Sequence, residues 1–301
     1  MASRERTDRL DDLVTEGRLS EGAEYDSLST EELVALVNRE DALVPEAVAA
    51  VGAELAAAID AIVARLRAGG RLVYVGAGTS GRLAELDAAE CESTFGTDQV
   101  VAIAAGVGLA TSAQRDEIED DAAAGADAVR ALGLSAADAV VAVSASGGTP
   151  FVVGALEAAV AVGALAVAAV SVEDSELGRL ADHELAVVVG PEVVSGSTRL
   201  KAGTAQKLVL NAISTLSMIR LGKTYGDLMI DVAATNAKLR ARARRAVRLA
   251  TGAAEEEVDA ALEAAGGSAK VAVVSLLAQV DAATARKRLE ESGGSVSEAS
   301  R

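Results

Sequence analysis

Three short segments carry the residue types that can hold an anion. Gly76-Ala77-Gly78-Thr79-Ser80-Gly81 lies between a β-rich run and a helical pattern. Gly78 lets the backbone come close to a ligand, and Thr79 and Ser80 place hydroxyl donors at a helix N-terminus, whose unpaired N–H groups and dipole favour negative charge. Ser144-Ala145-Ser146-Gly147-Gly148-Thr149 repeats the design, with Ser144, Ser146 and Thr149 as donors and Pro150 where a first helical turn accepts proline. The third segment, Ser195-Gly196-Ser197-Thr198-Arg199-Leu200-Lys201-Ala202-Gly203-Thr204, sets Lys201 and Arg199 beside Ser197 and Thr198 in a small-residue loop. Local cations in an acidic chain suit recognition of a phosphate or carboxylate. The plainer alternative for this segment is helix capping by Ser and Thr with the cations solvated.

The first loop also fits G-x-G-x-x-G, the dinucleotide-binding fingerprint. That reading needs an acidic residue at the end of the next strand to hold the ribose, and Ala104-Ala105-Gly106 offers none. Glycines of a plain strand-to-helix turn are the other alternative, weakened by a second hydroxyl-rich loop at an equivalent strand end.

Loops of this kind must be positioned by a sheet. Five β-rich runs, at 71–75, 100–105, 139–143, 165–172 and 184–189, alternate with helical patterns. Continuous apolar runs with room for crossovers predict an open α/β fold with a five-stranded parallel sheet flanked by helices. Ahead of it, Ser29-Thr30-Glu31-Glu32 opens an amphipathic segment, and 45–67 reads as one long helix ended by Gly69-Gly70. Helical patterns follow at 204–221 and 228–249, and then three short amphipathic pieces at 254–265, 268–280 and 282–290. We therefore expect a sheet domain over 1–250 and a small C-terminal helical domain over 251–301, with a polar, disordered end from Gly293.

Composition narrows the function. The 301 residues hold 28 Lys and Arg against 45 Asp and Glu, a net charge of −17, which argues against nucleic acid or an anionic membrane as partner. One cysteine, Cys91, and one histidine, His183, leave no intrachain disulfide and no multi-Cys or multi-His metal site. The first ten residues alternate charges without an apolar core, so no secretory signal is expected, and a reducing cytoplasm fits best. The apolar stretch 158–170 is too short to span a bilayer and contains Gly163, where a helix can hand over to a strand. Cys91 and His183 read as structural.

Several segments together resemble the N-acetylmuramic acid 6-phosphate etherases: Thr15-Glu16-Gly17-Arg18, Gly76 through Leu83, Asp87-Ala88-Ala89-Glu90-Cys91, Thr94-Phe95-Gly96, Gly196 through Asn211, Gly222-Lys223, and Asp231 through Leu239 with Ala234-Thr235-Asn236. The run from Gly196 to Asn211 is the most diagnostic. The resemblance implies a sugar isomerase (SIS) fold, a homodimer, a phosphorylated amino sugar as ligand, and cleavage of its lactyl ether without metal or organic cofactor. The reaction it implies is elimination across C2–C3 of the open-chain sugar followed by water addition. By motif, Glu90 matches the family's acid and Glu119 its base; Glu117 and Asp120 are the alternatives to Glu119 if the alignment slips. Ten residues of helix after Ser80 would carry Glu90 about 15 Å from the loop, so either the helix breaks early or the site is shared between subunits. The chain departs from the family at Gly148, which stands where an Arg is usual, at Leu19 for Asn, and at Gly106-Val107 for a glycine pair. Two other functions remain open: a non-catalytic sensor like glucokinase regulatory proteins, which carry a second SIS repeat absent here, and a sugar-phosphate isomerase, which needs a base but no leaving-group acid.

Overall fold

The structure, a computed structural model, describes residues 14–20, 24–106, 112–231 and 237–301. These fall into two compact units, one comprising residues up to Ala88 with Val101–Ile213, the other Ala89–Val100 with Ser214–Arg301.

The first unit is built on five strands, β1 (Leu72–Gly76), β2 (Val100–Ala104), β3 (Ala139–Val143), β4 (Leu165–Val170) and β5 (His183–Ala186), in the order β2-β1-β3-β4-β5. The pairs β1–β3, β3–β4 and β4–β5 are parallel, with Gly76 opposite Val143 and Val143 opposite Ala169. Every residue of β1, β3 and β4 is buried. That is the condition of strands covered on both faces, and it explains their unbroken apolar runs. The expected strands are thus present, although the last ends at Ala186, short of residue 189. Gly163 adopts φ +78° between α7 (Pro150–Ala161) and β4, so the 158–170 stretch is a helix end that buries Ala159 and exposes Val160, a turn, and a buried strand.

Ahead of the sheet, Ser29 caps α1 (Thr30–Asp41), with Glu32 bonding back to complete a capping box. The long helix expected over 45–67 is two helices, α2 (Val44–Ala50) and α3 (Gly52–Arg67), broken at Val51, with a 60° bend across the break. A β-branched residue followed by glycine is a weak point in any helix. Helix α4 (Gly78–Phe95) follows β1, α5 (Ser112–Glu119) and α6 (Ala122–Leu132) lie between β2 and β3, and α8 (Glu176–Leu180) precedes β5. Helix α9 (Lys201–Arg220) starts three residues before the expected position.

The second unit departs further from the sequence reading. Leu228-Met229 does not open a helix: it forms β7 (Leu228–Met229), paired antiparallel with β6 (Thr224–Tyr225) around Gly226-Asp227, a two-residue hairpin signal. Helix α10 (Ala237–Thr251) then buries Ala243, Ala246 and Val247 in one core with Val258 of α11 (Glu255–Ala264), Val271–Val274 of α12 (Ala269–Ala278) and Leu289 of α13 (Ala282–Glu291). A boundary at 250 would cut that core, so α10 belongs with the helices after it. The chain end, expected to be disordered, forms α14 (Val296–Ala299) and buries Val296 and Ala299 in the same core.

At the end of the sheet opposite the glycine loops, Asp138 is a structural anchor. It is 2% exposed and accepts from the Arg71 guanidinium, the Arg71 backbone N–H and the Ser135 backbone N–H at 2.8 to 3.1 Å. Burial alone pushes this carboxyl up, but the Arg71 side chain and the two backbone donors outweigh it and bring it down to about 2 from 3.8. A folded-state pKa below the unfolded one means that the group's stabilisation is complete above about pH 4 and is lost as pH falls towards about 2. Asp138→Asn should therefore cost about 2 kcal/mol at pH 7 and flatten the acid limb of the stability curve over that window. Denaturant melts from pH 7 to pH 2 check this; a variant with unchanged neutral stability would refute it.

Candidate functional site

The first loop is a strand end folded tightly against a helix start. A Cβ on Gly76 would lie 2.7 Å from Gly81 N and 2.8 Å from Ser80 C, so no side chain fits where β1 turns into α4. Gly78, the first residue of α4, is exposed, while Thr79 and Ser80 are half-buried behind it. Arg82 Nη2 donates to Thr79 Oγ1 at 3.1 Å, and Ser80 Oγ donates to Gln206 Oε1 at 2.9 Å.

Glu119, the last residue of α5, comes to this loop. Its Oε2 lies 3.6 Å from the position a Cβ on Gly78 would occupy. A carboxylate therefore faces the first residue of α4, where the helix presents its unpaired N–H groups. The alternatives Glu117 and Asp120 are both exposed.

The second loop leaves β3 next to the first, because Gly76 and Val143 are register partners. Its hydroxyls form a connected set. Ser144 Oγ, 3% exposed, lies 2.9 Å from Thr149 Oγ1 and 3.4 Å from Ser146 Oγ, and it accepts from the Gly147 N–H at 3.1 Å. Gly147 has φ +65°, and its missing Cβ would lie 2.3 Å from Ser175 Cβ, so glycine is required there on two grounds. At Gly148 a Cβ would start 3.9 Å from Glu176 Oε2.

The third segment meets the first through the start of α9: Thr79 Cγ2 lies 3.6 Å from the Cβ position of Gly203. Capping is present here, but Ser and Thr do not supply it. Glu192, 1% exposed, accepts from the backbone N–H of Lys201 and of Ala202, each at 3.0 Å, and so caps α9 from outside the segment. Nor is Lys201 a solvated cation: it is 2% exposed and its Nζ lies 2.6 Å from Glu40 Oε2. Arg199 is exposed, and Ser197 and Thr198 are half-buried. The loop also carries the N-terminal segment, since Ser195 Oγ donates to Glu16 O at 2.6 Å and Gly196 N donates to Thr15 O at 3.3 Å.

Glu90 is exposed and belongs to the second unit, on the part of α4 beyond Ala88. Helix α4 runs unbroken from Gly78 to Phe95, so the early break does not occur. Asp87, three residues earlier, is 2% exposed and is held by Tyr74 Oη at 3.0 Å and Lys207 Nζ at 3.8 Å. Cys91 is buried, and His183 Nδ1 contacts Glu54 Oε1 at 2.7 Å, tying β5 to α3. Sequence reading missed Glu40 and Glu192, acidic residues whose function depends on where the chain brings them. Among the described residues no group of three or more His, Cys, Asp or Glu is placed to hold a metal ion.

The chain is 58% identical over 284 residues to N-acetylmuramic acid 6-phosphate etherase of Rubrobacter xylanophilus, which spans 94% of each chain. It belongs to the N-acetylmuramic acid 6-phosphate etherase family. The relative of the same name from Streptomyces avermitilis is 55% identical over 287 residues, 95% of this chain and 92% of the other. Two domain families match within the first unit and slightly beyond it: the glucokinase regulatory protein N-terminal SIS domain over residues 54–160 and the SIS domain over residues 121–216. A phosphoheptose isomerase from Francisella tularensis superposes with a TM-score of 0.52 at 18% identity, covering 64% of this chain and all of that one, which is a likeness of fold.

Within that family, the structure places side by side segments that are far apart in sequence. Thr15-Glu16-Gly17 rests on Ser195-Gly196, and Gly76 through Gly81 meets the helix that carries Gln206. The family segment Ala234-Thr235-Asn236 and position 107 lie outside the described residues, as do the first ten residues.

Proposed function

We propose that this protein cleaves the D-lactyl ether of N-acetylmuramic acid 6-phosphate, giving N-acetylglucosamine 6-phosphate and D-lactate with one water consumed. The observation that carries the reading is the identity of 58% along nearly the whole length of a relative bearing that name. The arrangement of Glu119 against Gly78 supports it chemically, because it sets a carboxylate beside a loop suited to a sugar phosphate.

In this reading, the N–H groups at the start of α4 with Thr79 and Ser80 bind the phosphate. Ser144, Ser146 and Thr149 offer hydroxyls to the same ligand from the adjacent strand end, joined by Ser197 and Thr198. Lys201 serves through Glu40 and the start of α9. Glu119 removes the C2 proton of the open-chain sugar, the C3–O ether bond breaks, and Glu90 protonates the departing lactate oxygen. Water then adds at C3 of the unsaturated aldehyde and restores the C2 proton. Each step moves a proton or an oxygen next to a carbonyl, so neither a metal nor an organic cofactor is needed. A homodimer in the cytoplasm, with Glu90 of one subunit serving the other's sugar, completes the reading. Among the described residues no single helix is long and apolar enough to cross a membrane.

Purified protein with N-acetylmuramic acid 6-phosphate should release D-lactate and N-acetylglucosamine 6-phosphate in equal amounts. Binding of the sugar phosphate without lactate release would replace the etherase by a sensor. Isomerised sugar with its ether intact would replace it by an isomerase.

A further inference from the structure

Gln206 holds an unsatisfied polar group beside the first loop. It is 4% exposed, its Oε1 accepts from Ser80 Oγ, and its Nε2 is buried with no hydrogen-bond partner among the described residues. The Ser171 hydroxyl, 1% exposed just past β4, is equally unpartnered. Ser171 and Gln206 line one small cavity with Val187, Ala205 and Val209.

In this arrangement the Ser80 proton is committed to Gln206, and Ser80 Oγ has only lone pairs to offer. A phosphate dianion has only acceptors as well, so Ser80 in this state does not attract it. The carboxamide has a second orientation of nearly the same shape. A half-turn about its terminal torsion exchanges Oε1 and Nε2. The N–H then donates to Ser80 Oγ, the Ser80 O–H is released towards an outside acceptor, and Oε1 enters the cavity that the Ser171 hydroxyl lines. The amide N–H gains Ser80 Oγ as its partner, and the hydrogen bonds run in one direction, from amide to hydroxyl to anion, so that each polarises the next.

We propose that Gln206 is a positioning residue for phosphate binding: in the complex its amide N–H donates to Ser80 Oγ and fixes the Ser80 hydroxyl as a donor to a phosphate oxygen. This rests on the reading of Gly76 through Gly81 as the phosphate loop. Sequence alone could not find it, since residues 80 and 206 are neighbours only after folding.

The test is a double-mutant cycle read by calorimetry with N-acetylglucosamine 6-phosphate. Ser80→Ala and Gln206→Met should each weaken binding by about tenfold, the worth of one hydrogen bond to a charged group, and the double variant should be no weaker than either single one. In turnover, Gln206→Met should raise KM with kcat little changed, as loss of uniform binding does. Gln206→Leu repeats the cycle if the Met variant does not fold. Additive losses, or a fall in kcat at unchanged KM, would overturn the proposal and leave the phosphate loop standing. A wild-type protein that binds the unphosphorylated sugar as tightly as the phosphate would instead overturn the reading of the loop, and the proposal with it.

Discussion

Replacing Glu119 by glutamine should reduce D-lactate release by about 10²- to 10⁴-fold, the usual worth of a general base, while sugar-phosphate binding stays close to wild type. Glutamine keeps the size and one acceptor of the side chain but cannot take up a proton. The geometry makes this position the one to test: Glu119 Oε2 reaches to 3.6 Å from the Cβ position of Gly78, whereas Glu117 and Asp120 are exposed. Exchange of the C2 hydrogen with solvent, followed by deuterium incorporation into unreacted sugar and product, should disappear together with turnover. If Glu119→Gln retains full exchange and Glu117→Gln or Asp120→Asn loses it, the base has been placed on the wrong carboxylate of this run.

Glu90→Gln should also lower ether cleavage by about 10²- to 10⁴-fold, but through a different step. An acid that protonates the leaving oxygen is not needed to remove the C2 proton. The variant should therefore keep exchanging that hydrogen while releasing little lactate, and the ratio of exchange to cleavage should rise. Equal loss of both processes would mean that Glu90 does not act as the leaving-group acid. Mixing subunits tests whether the site is shared. Subunits carrying only Glu90→Gln, mixed with subunits carrying only Ser80→Ala and Ser144→Ala, should recover part of the activity if Glu90 serves the neighbour, and none if each subunit uses its own.

The two carboxylates differ in how they are held. Glu119 ends an eight-residue helix and meets the loop after β1 within one compact unit. Glu90 is on the C-terminal part of a long helix, in the second unit, and is exposed. An exposed acid can act only where something encloses it with substrate, which is why the mixed-subunit experiment carries weight for Glu90 and not for Glu119.

The departure at Gly148 has a physical context as well. Gly148, which the resemblance sets where an Arg is expected, lies beside the Glu176 carboxylate, 3.9 Å from a Cβ placed there. Neither the loop's hydroxyl network nor its left-handed turn at Gly147 depends on that side chain. Glycine at this position leaves the loop's construction intact.

By itself the sequence determined the strands of the sheet and the fold class, but not the break at Val51, the hairpin at 224–229 or the ordered chain end. Apolar runs at 139–143 and 165–170 read as strands buried on both faces, and glycine with hydroxyl residues after β1 and β3 reads as the end of a parallel sheet suited to a ligand. Those signals are local, written within ten residues of chain. Only the tertiary structure decided which groups meet. Gln206 reaching Ser80, Glu119 reaching Gly78, Glu40 taking the charge of Lys201 and Glu192 capping α9 each join residues distant in sequence. No period or motif records such a meeting, because an isolated Glu or Gln on a helix has the same local pattern whether it faces water or a partner. The same holds for the extent of the second unit. Helix α10 looks like an exposed cationic helix by composition, and its membership of the C-terminal core rests on three small residues, Ala243, Ala246 and Val247, that only packing reveals as buried.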